Sequence, residues 1–530
     1  MTEKTINSFI NLSFVGISRR AESVDRATLV QTFVDVGPLF AVLSTNDHQI
    51  VYGRRGTGKT HALIYVAEQS KKNRNIAVYI DLRYIGSSGG IYGDPNLPLP
   101  QRATRLLIDV LGSMHESLMV NALESALDLS KLGPALDSLA NAVVDIEVVG
   151  ETTREVKESA ATEIKESSGL AVDFLAKPSL SASSTRDSSQ ALHREATIAE
   201  KGTSRCRVHF GSVSTALRNL VEAVQPARIL IVLDEWSTIP LDLQPYLADL
   251  IRRAIFPVPG ITIKIAAIEQ RSHFRLGNGP DYLGIEVGAD ASADVDLDDY
   301  MVFDNNGDRA TEFFRELLFA HYQSEKADGK PEFSSSEGLI GAAFTQINAF
   351  EDFVRSAEGV PRDAFNILSV AAQRGMNDKL SIPTIRVAAR TWYQRDKETA
   401  IRSNPDAYKL LHWIIDEVIA HRKARAFLLI ANCRHSLIDA LFDARLLHII
   451  KKGLSGQEEA GVRYDAYKLD YGCYVDLLAT KSAPLDSFFE ADTETKGADI
   501  VVPTDDYRAI RRAVLKLDQF EGAGVEEKTA

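Results

Sequence analysis

Residues 53–60 constrain the fold of this 530-residue chain more than any other segment. They read GRRGTGKT, which matches the phosphate-binding pattern GxxxxGK(S/T). A short strand-like run at residues 48–52 comes directly before the motif, and an apolar helical pattern at residues 62–67 follows it. Strand, tight loop and helix form the context in which this motif binds a nucleotide. We therefore predict that a nucleoside triphosphate binds at the start of this helix.

The residue types in this loop each have a chemical role. Glycines let consecutive backbone N–H groups turn towards phosphate oxygens, and the helix N-terminus adds partial positive charge. Lys59 is expected to reach the β and γ phosphates, and Thr60 to ligate magnesium. ATP and Mg²⁺ are therefore the predicted cofactors. The predicted nucleotide-binding residues are Gly53, Arg54, Arg55, Gly56, Thr57, Gly58, Lys59, Thr60 and His61.

A second motif, ILIVLDE at residues 229–235, is an apolar strand that ends in two carboxylates. Asp234 is expected to hold the water shell of the magnesium, and Glu235 to polarise the water that attacks the γ phosphate. A doubly wound sheet binds its ligand at the carboxyl ends of its strands, so we expect Asp234 to lie near Thr60. Thr60 and Asp234 are the predicted metal ligands, and Glu235 and Lys59 are predicted catalytic residues.

Strand-like and helical segments alternate around these motifs. Residues 76–80 and 261–268 read as further buried strands, which predicts an α/β fold with a parallel sheet covered on both faces. Residues 151–204 are rich in Ser and Thr and carry one aromatic side chain, so we expect an insertion that is either partly disordered or a long β-hairpin. Residues 276–308 contain nine carboxylates and no Lys or Arg, which favours a solvated connection.

The last part of the chain has a different pattern. Residues 311–395 read as helical, and the segment after residue 405 shows two amphipathic helices, a strand at 445–451, a glycine-containing loop and a return strand at 463–469. That order is typical of a winged helix. A final helix is predicted from the apolar stripe of Tyr507, Ile510, Val514 and Leu517. The predicted domains are an N-terminal segment at 1–46, an ATPase core at 47–290, a helical lid at 291–400 and a winged-helix domain at 405–530.

Residues 53–60 and 229–235 together resemble the Walker A and Walker B motifs of AAA+ ATPases, most nearly those of the initiator clade, the origin-recognition and replication-initiator proteins. The resemblance extends over about residues 15–480. It implies a P-loop sheet core, a helical lid and a C-terminal winged-helix domain. The chain departs from the family in the interval between Lys59 and Asp234, which the 151–204 insertion lengthens.

The same resemblance implies roles for residues outside the two motifs. Arg362, in the segment GVPRDAFNIL, corresponds to the sensor 2 arginine that touches the γ phosphate, although an ordinary arginine at a helix start reads the same way. Gln270 takes the sensor 1 position, where the family usually places another polar residue. Arg252 and Arg253 are candidates for the arginine finger of a neighbouring subunit or are solvated surface arginines.

Composition limits the partners. The net charge is −13, from 60 Lys and Arg against 73 Asp and Glu, so a DNA contact needs a local basic face. Three cysteines without CxxC spacing exclude a disulfide framework and a cysteine-based zinc site, and they fit a reducing cytoplasm. The N-terminus has no secretory pattern, and no run of 18 uncharged apolar residues occurs. We therefore predict a cytoplasmic protein with no membrane partner.

These observations lead to one principal functional hypothesis and several alternatives. The chain is expected to be an ATP-hydrolysing switch that forms homo-oligomers in ATP and engages double-stranded DNA or an effector protein through the winged helix. Arg445 and Arg463 favour DNA, whereas Asp439 in the expected recognition helix favours protein. A STAND-like, nucleotide-gated sensor in signalling or phage defence is the alternative. A DNA-binding adaptor with a silent nucleotide site and a small-molecule kinase fit fewer of the motifs.

Overall fold

The computed structural model describes most of the chain. The described residues are 2–35, 37–85, 92–94, 96–124, 129–143, 146–154, 198–206, 208–277, 279, 281–298, 307–325, 329–421, 424, 426–431, 435–455, 461–475 and 514–520.

Numbered in chain order, the helices are α1 (Glu3–Gly16), α2 (Arg26–Thr32), α3 (Leu39–Leu43), α4 (Lys59–Lys72), α5 (Leu99–Glu124), α6 (Leu129–Val143), α7 (Phe210–Val224), α8 (Gln244–Leu250), α9 (Gly307–Ser324), α10 (Ser336–Ala343), α11 (Ile347–Ser356), α12 (Pro361–Arg374), α13 (Ile382–Trp392), α14 (Glu398–Arg402), α15 (Pro405–Ile415) and α16 (Ser436–Asp443). The strands are β1 (Gln49–Tyr52), β2 (Ile76–Asp81), β3 (Ile146–Arg154), β4 (Ile198–Cys206), β5 (Ile229–Asp234), β6 (Ile261–Ala267), β7 (Arg275–Leu276), β8 (Leu283–Gly284), β9 (Ser292–Asp296), β10 (Ala426–Ile430), β11 (Leu447–Ser455) and β12 (Arg463–Leu469).

The chain forms two compact units. The first unit comprises Met1–Leu43, Tyr52–Tyr65 and Val295–Ala530, and the second comprises Ser44–Val51 and Val66–Asp294. Each unit therefore contains segments that are distant in the sequence. The phosphate-loop motif belongs to the first unit, and the DE motif at residues 234–235 belongs to the second.

The second unit contains, apart from the last residues of β1 and β9, a five-stranded sheet of order β2-β5-β6-β1-β9. The pairs β2–β5 and β5–β6 are parallel, with Tyr79 opposite Val232 and Leu233 opposite Ile265. Every residue of β5 is buried, because this strand has a neighbour on each side and apolar residues on both faces. The α/β parallel-sheet core predicted from the sequence is therefore confirmed.

Helices α5 to α8 lie in the same unit as this sheet. Helix α5 packs on β2, α6 and α8, and buries Leu106, Leu111 and Met114. Among the described residues it is the one helix long and apolar enough, by length and composition alone, to cross a membrane, at Leu99–Leu123 with 39% of the most apolar window buried. The search of the sequence for 18 consecutive uncharged apolar residues did not identify α5, because this helix contains charged residues such as Asp109. Leu106, Leu111 and Met114 of α5 therefore belong to the hydrophobic core of the second unit.

The insertion begins and ends in an antiparallel ladder. Strands β3 and β4 pair in register from Ile146 opposite Cys206 to Arg154 opposite Ile198. This agrees with the β-hairpin alternative for the ends of the insertion, although the ladder starts before residue 151. The strand-like piece predicted at residues 169–175 lies outside the described residues.

The acidic segment at 276–308 is more ordered than predicted. It was expected to be a solvated connection, but residues Ser292–Asp296 form β9, the edge strand next to β1. The amide of Ser292 donates a hydrogen bond to the carbonyl of His48 at 3.0 Å. The prediction was wrong because an edge strand needs only one apolar face, and Val295, which is 1% exposed, supplies it.

The first unit contains the helical lid, α9 to α13. Its core is aromatic, with Phe314, Phe344, Phe350 and Phe353 buried against one another. Helix α1 packs on α12, where the side-chain amide of Asn11 donates to the carbonyl oxygens of Gly375 and Asp378 at 3.0 Å each. The predicted helical segment at 311–395 is confirmed.

The C-terminal part of the first unit is a winged-helix domain, as predicted. Helices α15 and α16 pack together, and three strands form an antiparallel sheet of order β10-β12-β11. Strand β10 was not predicted. The predicted last helix is wrong at Val514, which makes a parallel bridge to Leu428, while Tyr507 and Ile510 lie outside the described residues.

Candidate functional site

The loop at residues 53–60 has the backbone of a phosphate cradle. Gly56 and Gly58 have φ angles of +86° and +97°, in the region that side chains disfavour. A Cβ at Gly53 would lie 2.6 Å from Oγ1 of Thr57. Helix α4 begins at Lys59, so its first amides face the loop. Glycine at these positions is required by the fold of the loop itself.

Side chains within the loop hold its shape. Nζ of Lys59 donates to the carbonyl oxygens of Gly53 and Arg54, at 2.8 and 2.9 Å. Oγ1 of the fully buried Thr57 donates to the Arg54 carbonyl at 2.9 Å. The Lys59 side chain therefore lies over the loop that is predicted to bind the phosphates. Thr60 lies in the first turn of α4.

Arg54 is a predicted nucleotide contact whose side chain has other partners. Its guanidinium is 2% exposed; Nε donates to Asp298 at 2.8 Å, and Nη2 donates to the Glu358 carbonyl at 2.8 Å. Nη1 donates to Nδ1 of His448. Its backbone amide bonds Asp298 at 2.9 Å. The side chain therefore fixes the loop from behind, and Arg55 is the exposed arginine of the pair.

Arg362 lies against the loop. Its backbone amide donates to the Gly56 carbonyl at 3.3 Å, and a Cβ on Gly56 would come within 2.8 Å of the Arg362 Cβ. Its Nε is buried without a hydrogen-bond partner among the described residues. Burial, followed by the charge of Arg445, lowers the pKa of the Arg362 guanidinium. A partly desolvated guanidinium with one unpaired N–H beside a phosphate loop is suited to an anionic ligand.

His61 has a structural partner in the same unit. Its Nε2 lies 2.6 Å from the carbonyl oxygen of Leu29, and its ring packs edge-on against Phe33. Burial lowers the pKa of His61, so the neutral ring donates from Nε2 to this carbonyl. The His61 side chain therefore ties α2 to α4, and its predicted role in binding nucleotide stays a prediction.

The second unit contains the DE motif. Asp234 is 1% exposed; its Oδ2 accepts a hydrogen bond of 2.5 Å from the Tyr79 hydroxyl, and its Oδ1 accepts one of 2.8 Å from the Glu235 amide. Glu235 has φ +58° and ψ +41°, a left-handed conformation that is uncommon for a side chain of this kind and concentrates at functional sites. Burial, then Asp234, raises the pKa of Tyr79 well above its usual value.

Tyr79 was missed by sequence reasoning. It lies on β2, opposite Val232 of β5, so its side chain starts two residues before the carboxylate it binds. The register of neighbouring parallel strands depends on the tertiary fold, so the local sequence around Tyr79 does not predict it. Asp298, which binds Arg54, was missed for the same reason, although its segment was recognised as acidic.

The sensor 1 candidates follow β6. Glu269, Gln270 and Arg271 form a single 3-10 turn, with Gln270 half-buried. The amide of Ile268 donates to Oγ of Ser237 at 3.0 Å, so the end of β6 is joined to the loop after β5. Gln270 therefore lies in the expected turn, and its sensor role stays a prediction.

The two candidates for the arginine finger share one carboxylate. Arg252 and Arg253 lie in a π-helical turn that continues α8, and they form ion pairs with Asp249 at 2.9 and 2.8 Å. Arg252 also stacks over the ring of Tyr282. Arg253 is half exposed, at 54%, which makes it the more accessible of the two.

The donor set fits magnesium held together with a nucleotide. The described residues include no group of three or more His, Cys, Asp or Glu side chains that could hold a metal alone. Magnesium in P-loop proteins needs few protein ligands, because phosphates and water supply the rest. Thr60 and Asp234 offer a hydroxyl and a carboxylate, the oxygen ligands it prefers. The proximity of these two side chains stays a prediction.

The parallel sheet, the GxxxxGK(S/T) loop before α4 and the helical segment after the sheet form a P-loop α/β fold that resembles that of AAA+ proteins. A family model described as ORC-CDC6-like matches residues 18–87, which include the loop and β2, and it confirms the predicted resemblance to origin-recognition proteins. No curated protein matches the chain. A solved structure of the Aeropyrum pernix ORC1 protein in complex with DNA aligns with 84% of this chain and 93% of its own, at 12% identity and a TM-score of 0.30. At that TM-score the alignment carries no weight, and the fold assignment rests on the strand orders and the loop.

Proposed function

We propose that the protein is an ATP-binding and ATP-hydrolysing switch that couples its nucleotide state to engagement of double-stranded DNA by the winged-helix domain. The single observation that carries the proposal is the set of partners of Arg54. This phosphate-loop residue bonds the carbonyl of Glu358, next to the sensor 2 segment, and the ring of His448 in β11 of the winged helix. The nucleotide loop, the lid and the DNA-binding candidate therefore share one side chain.

Each proposed catalytic residue has a distinct task. The loop amides and Lys59 bind the phosphates, and Arg362 neutralises charge on the γ phosphate. Glu235 orients and deprotonates the attacking water. Thr60 and Asp234 would hold magnesium, which would supply positive charge to the phosphates when it is bound. After hydrolysis Arg362 loses its anionic partner, which is the step by which the lid senses ADP.

The DNA partner is supported by the ORC-CDC6-like match and by exposed cations on the winged-helix hairpin. Lys451, Lys452 and Arg463 are exposed on β11 and β12. Cations on such a hairpin contact phosphates of the DNA backbone. Asp439 lies on α16, the helix that would enter the groove, so the hairpin rather than α16 is proposed as the main contact.

An ATPase assay with and without duplex DNA, combined with sizing in ATP and in ADP, tests this proposal. Stimulation by DNA and a larger species in ATP are the expected results. Lys59→Ala should abolish nucleotide binding or turnover. Glu235→Gln should bind ATP but hydrolyse it roughly 10²-fold more slowly, because only water activation is lost. Glu222→Gln, an exposed glutamate of α7, is the matched control.

Two results would contradict the proposal in different ways. Hydrolysis at the parent rate by Glu235→Gln would remove Glu235 as the base. A slow ATPase that ignores DNA but responds to a protein ligand would support the STAND-like sensor in signalling or defence instead. In that case deletion of residues 151–204 should abolish the response.

A further inference from the structure

A buried polar junction connects the phosphate loop to the winged-helix hairpin. We define it by Arg54, Glu358, His448, Lys468 and Asp470. Arg54 bonds Nδ1 of His448, and Nε2 of His448 donates to Asp470 Oδ2 at 3.0 Å. Nζ of Lys468 donates to Glu358 Oε2 at 2.8 Å. All five residues are at most 4% exposed.

The hairpin presents two of these residues as a pair. His448 on β11 lies directly opposite Lys468 on β12, so their side chains leave the same face of the sheet. One bonds the phosphate loop through Arg54, and the other bonds the carboxylate of Glu358. Arg54 in turn bonds the Glu358 carbonyl at 2.8 Å. Two strands, the lid and the phosphate loop are therefore joined by one connected chain of hydrogen bonds.

The protonation state of the junction is fixed by its surroundings. Burial, then the charge of Arg54, lowers the pKa of His448 to about 3, so its ring is neutral and Nδ1 is free of a proton. Burial opposes ionisation of Asp470, but Lys397 and His448 hold the pKa of this carboxyl below its usual range. Neutral His448 can thus accept from Arg54 and donate to Asp470 at the same time.

Asp470 extends the junction to the sensor 2 helix. Its Oδ2 accepts a hydrogen bond of 2.5 Å from Nζ of Lys397, which forms an ion pair with Asp363 at 3.0 Å. Asp363 follows Arg362 in α12 and also binds Arg445, which precedes β11. The hairpin and the residues that flank it therefore contact both sides of the candidate phosphate site, the loop through Arg54 and the sensor 2 turn through Arg445 and Asp363.

We propose that His448 is a positioning residue of the nucleotide site: it fixes Arg54, and with it the curvature of the phosphate loop, so that the winged-helix hairpin sets the affinity for ATP. This proposal rests on the proposed function and names a regulation of that same site. Because linkage is reciprocal, nucleotide in the loop must then change how firmly the hairpin is held. If DNA binding moves the hairpin, DNA must change the Kd for ATP by the same factor by which ATP changes the Kd for DNA.

Two conservative variants of His448 separate its two hydrogen bonds. An asparagine places its amide oxygen near the position of Nδ1 and keeps the bond to Arg54, whereas a glutamine places its amide near Nε2 and keeps the bond to Asp470. We expect His448→Gln to raise the Kd for ATP with Mg²⁺ roughly ten-fold, which is the size of a lost hydrogen bond to a charged group. His448→Asn should stay close to wild type. Both keep a polar side chain at the buried position.

A double-variant cycle shows whether His448 acts through Arg54. Arg54→Leu should also raise the Kd, and Arg54→Leu combined with His448→Gln should be no worse than the weaker binder of the two, because both remove the same bond. Ile450→Ala is the control, since Ile450 packs on the apolar cluster of the hairpin and has no bond to the loop. Hydrogen exchange of residues 447–455 should slow with ATP in wild type and not in His448→Gln.

Each result decides between distinct conclusions. If His448→Gln and His448→Asn change the Kd equally, or if only the melting temperature falls, the junction is purely structural and the inference is overturned. Additive effects in the cycle overturn it as well. If the wild-type protein itself does not bind ATP, the proposed function fails and the inference falls with it.

Discussion

The backbone amide of Arg362 donates a hydrogen bond of 3.3 Å to the carbonyl oxygen of Gly56, so the phosphate loop and the first turn of α12 are joined through their main chains. The side chains of Val360 and Arg362 also pack against Gly56 at this contact. A change in the loop is therefore expected to move Arg362, the proposed sensor 2 residue.

Gly56→Ala is expected to bind ATP at least roughly ten-fold more weakly. The φ of +86° costs an alanine about 1–2 kcal/mol, and its Cβ would lie 2.8 Å from that of Arg362, so loop and helix must separate. The Kd for ATP with Mg²⁺ is the measurement. Gly341→Ala, in open space on α10, is the control and should leave the Kd unchanged. An equal Kd for ATP in wild type and Gly56→Ala would show that the contact between Gly56 and Arg362 does not affect ATP binding.

Tyr79→Phe should raise the Mg²⁺ concentration needed for half-maximal ATPase about ten-fold, because a carboxylate that has lost its orienting hydrogen bond holds the metal less well. The maximal rate at saturating Mg²⁺ should change little. A Mg²⁺ titration of ATPase activity measures both quantities. Tyr84→Phe, at an exposed tyrosine in the 3-10 turn after β2, is the matched control. Superimposable Mg²⁺ curves for Tyr79→Phe and wild type would rule out this role.

Stability should fall as the pH drops from about 6.5 towards 3. The pKa of His448 is lowered to about 3 in the folded protein, so the unfolded chain binds a proton at higher pH and is favoured by acid. Arg54, Asp470 and Lys397 surround this ring. The slope contributed by His448 is about 1.4 kcal/mol per pH unit. Burial likewise lowers the pKa of His321, to about 4, and it adds a slope of the same sign.

Urea unfolding at pH 7, 6 and 5 measures this dependence. His448→Asn should have a shallower loss of stability between pH 6 and 5 than wild type, because the titrating ring is gone. A variant at His321 should flatten the curve independently. An unchanged slope in His448→Asn would show that this ring titrates normally in the folded protein.

Gly472→Ala should destabilise the first unit by about 1–3 kcal/mol, the usual cost of overpacking. An added Cβ would overlap the side chain of Tyr393. Tyr393 continues from α13, and Gly472 directly follows the junction region, so neither main chain can retreat freely. The free energy of unfolding measures the cost. Gly341→Ala should be neutral or stabilising by up to about 1 kcal/mol, and a similar result for Gly472→Ala would contradict the packing argument.

The elements with local signatures were predictable. A motif or a hydrophobic periodicity predicted the phosphate loop, the apolar strand β5 and the hairpin β11–β12. The structure has these elements near the predicted residues. Strand β9 was hidden because its sequence, SADVD, carries a single buried apolar residue. Strand β10 has a uniformly apolar sequence, AFLLI, that alone does not distinguish a strand from a buried helix.

The supports of the candidate site were not predictable. Tyr79, Asp298 and His448 touch motif residues from other segments of the chain, and their sequence neighbourhoods contain nothing that names a partner. Two of the predicted nucleotide-binding residues, Arg54 and His61, have side chains with protein partners that the motif did not predict, because a motif specifies the backbone of the loop more strongly than its variable side chains.

Arg54 and His448 are 394 positions apart, which has a consequence for biosynthesis. The ribosome finishes the phosphate loop long before it adds the hairpin that anchors this loop. During that interval Arg54 can bind Asp298 and Glu358 as each emerges, but not His448. A recombinant fragment ending after the lid would preserve every recognisable motif and still lack the anchor, so enzymology on such a truncation would describe a different nucleotide site from that of the full-length chain.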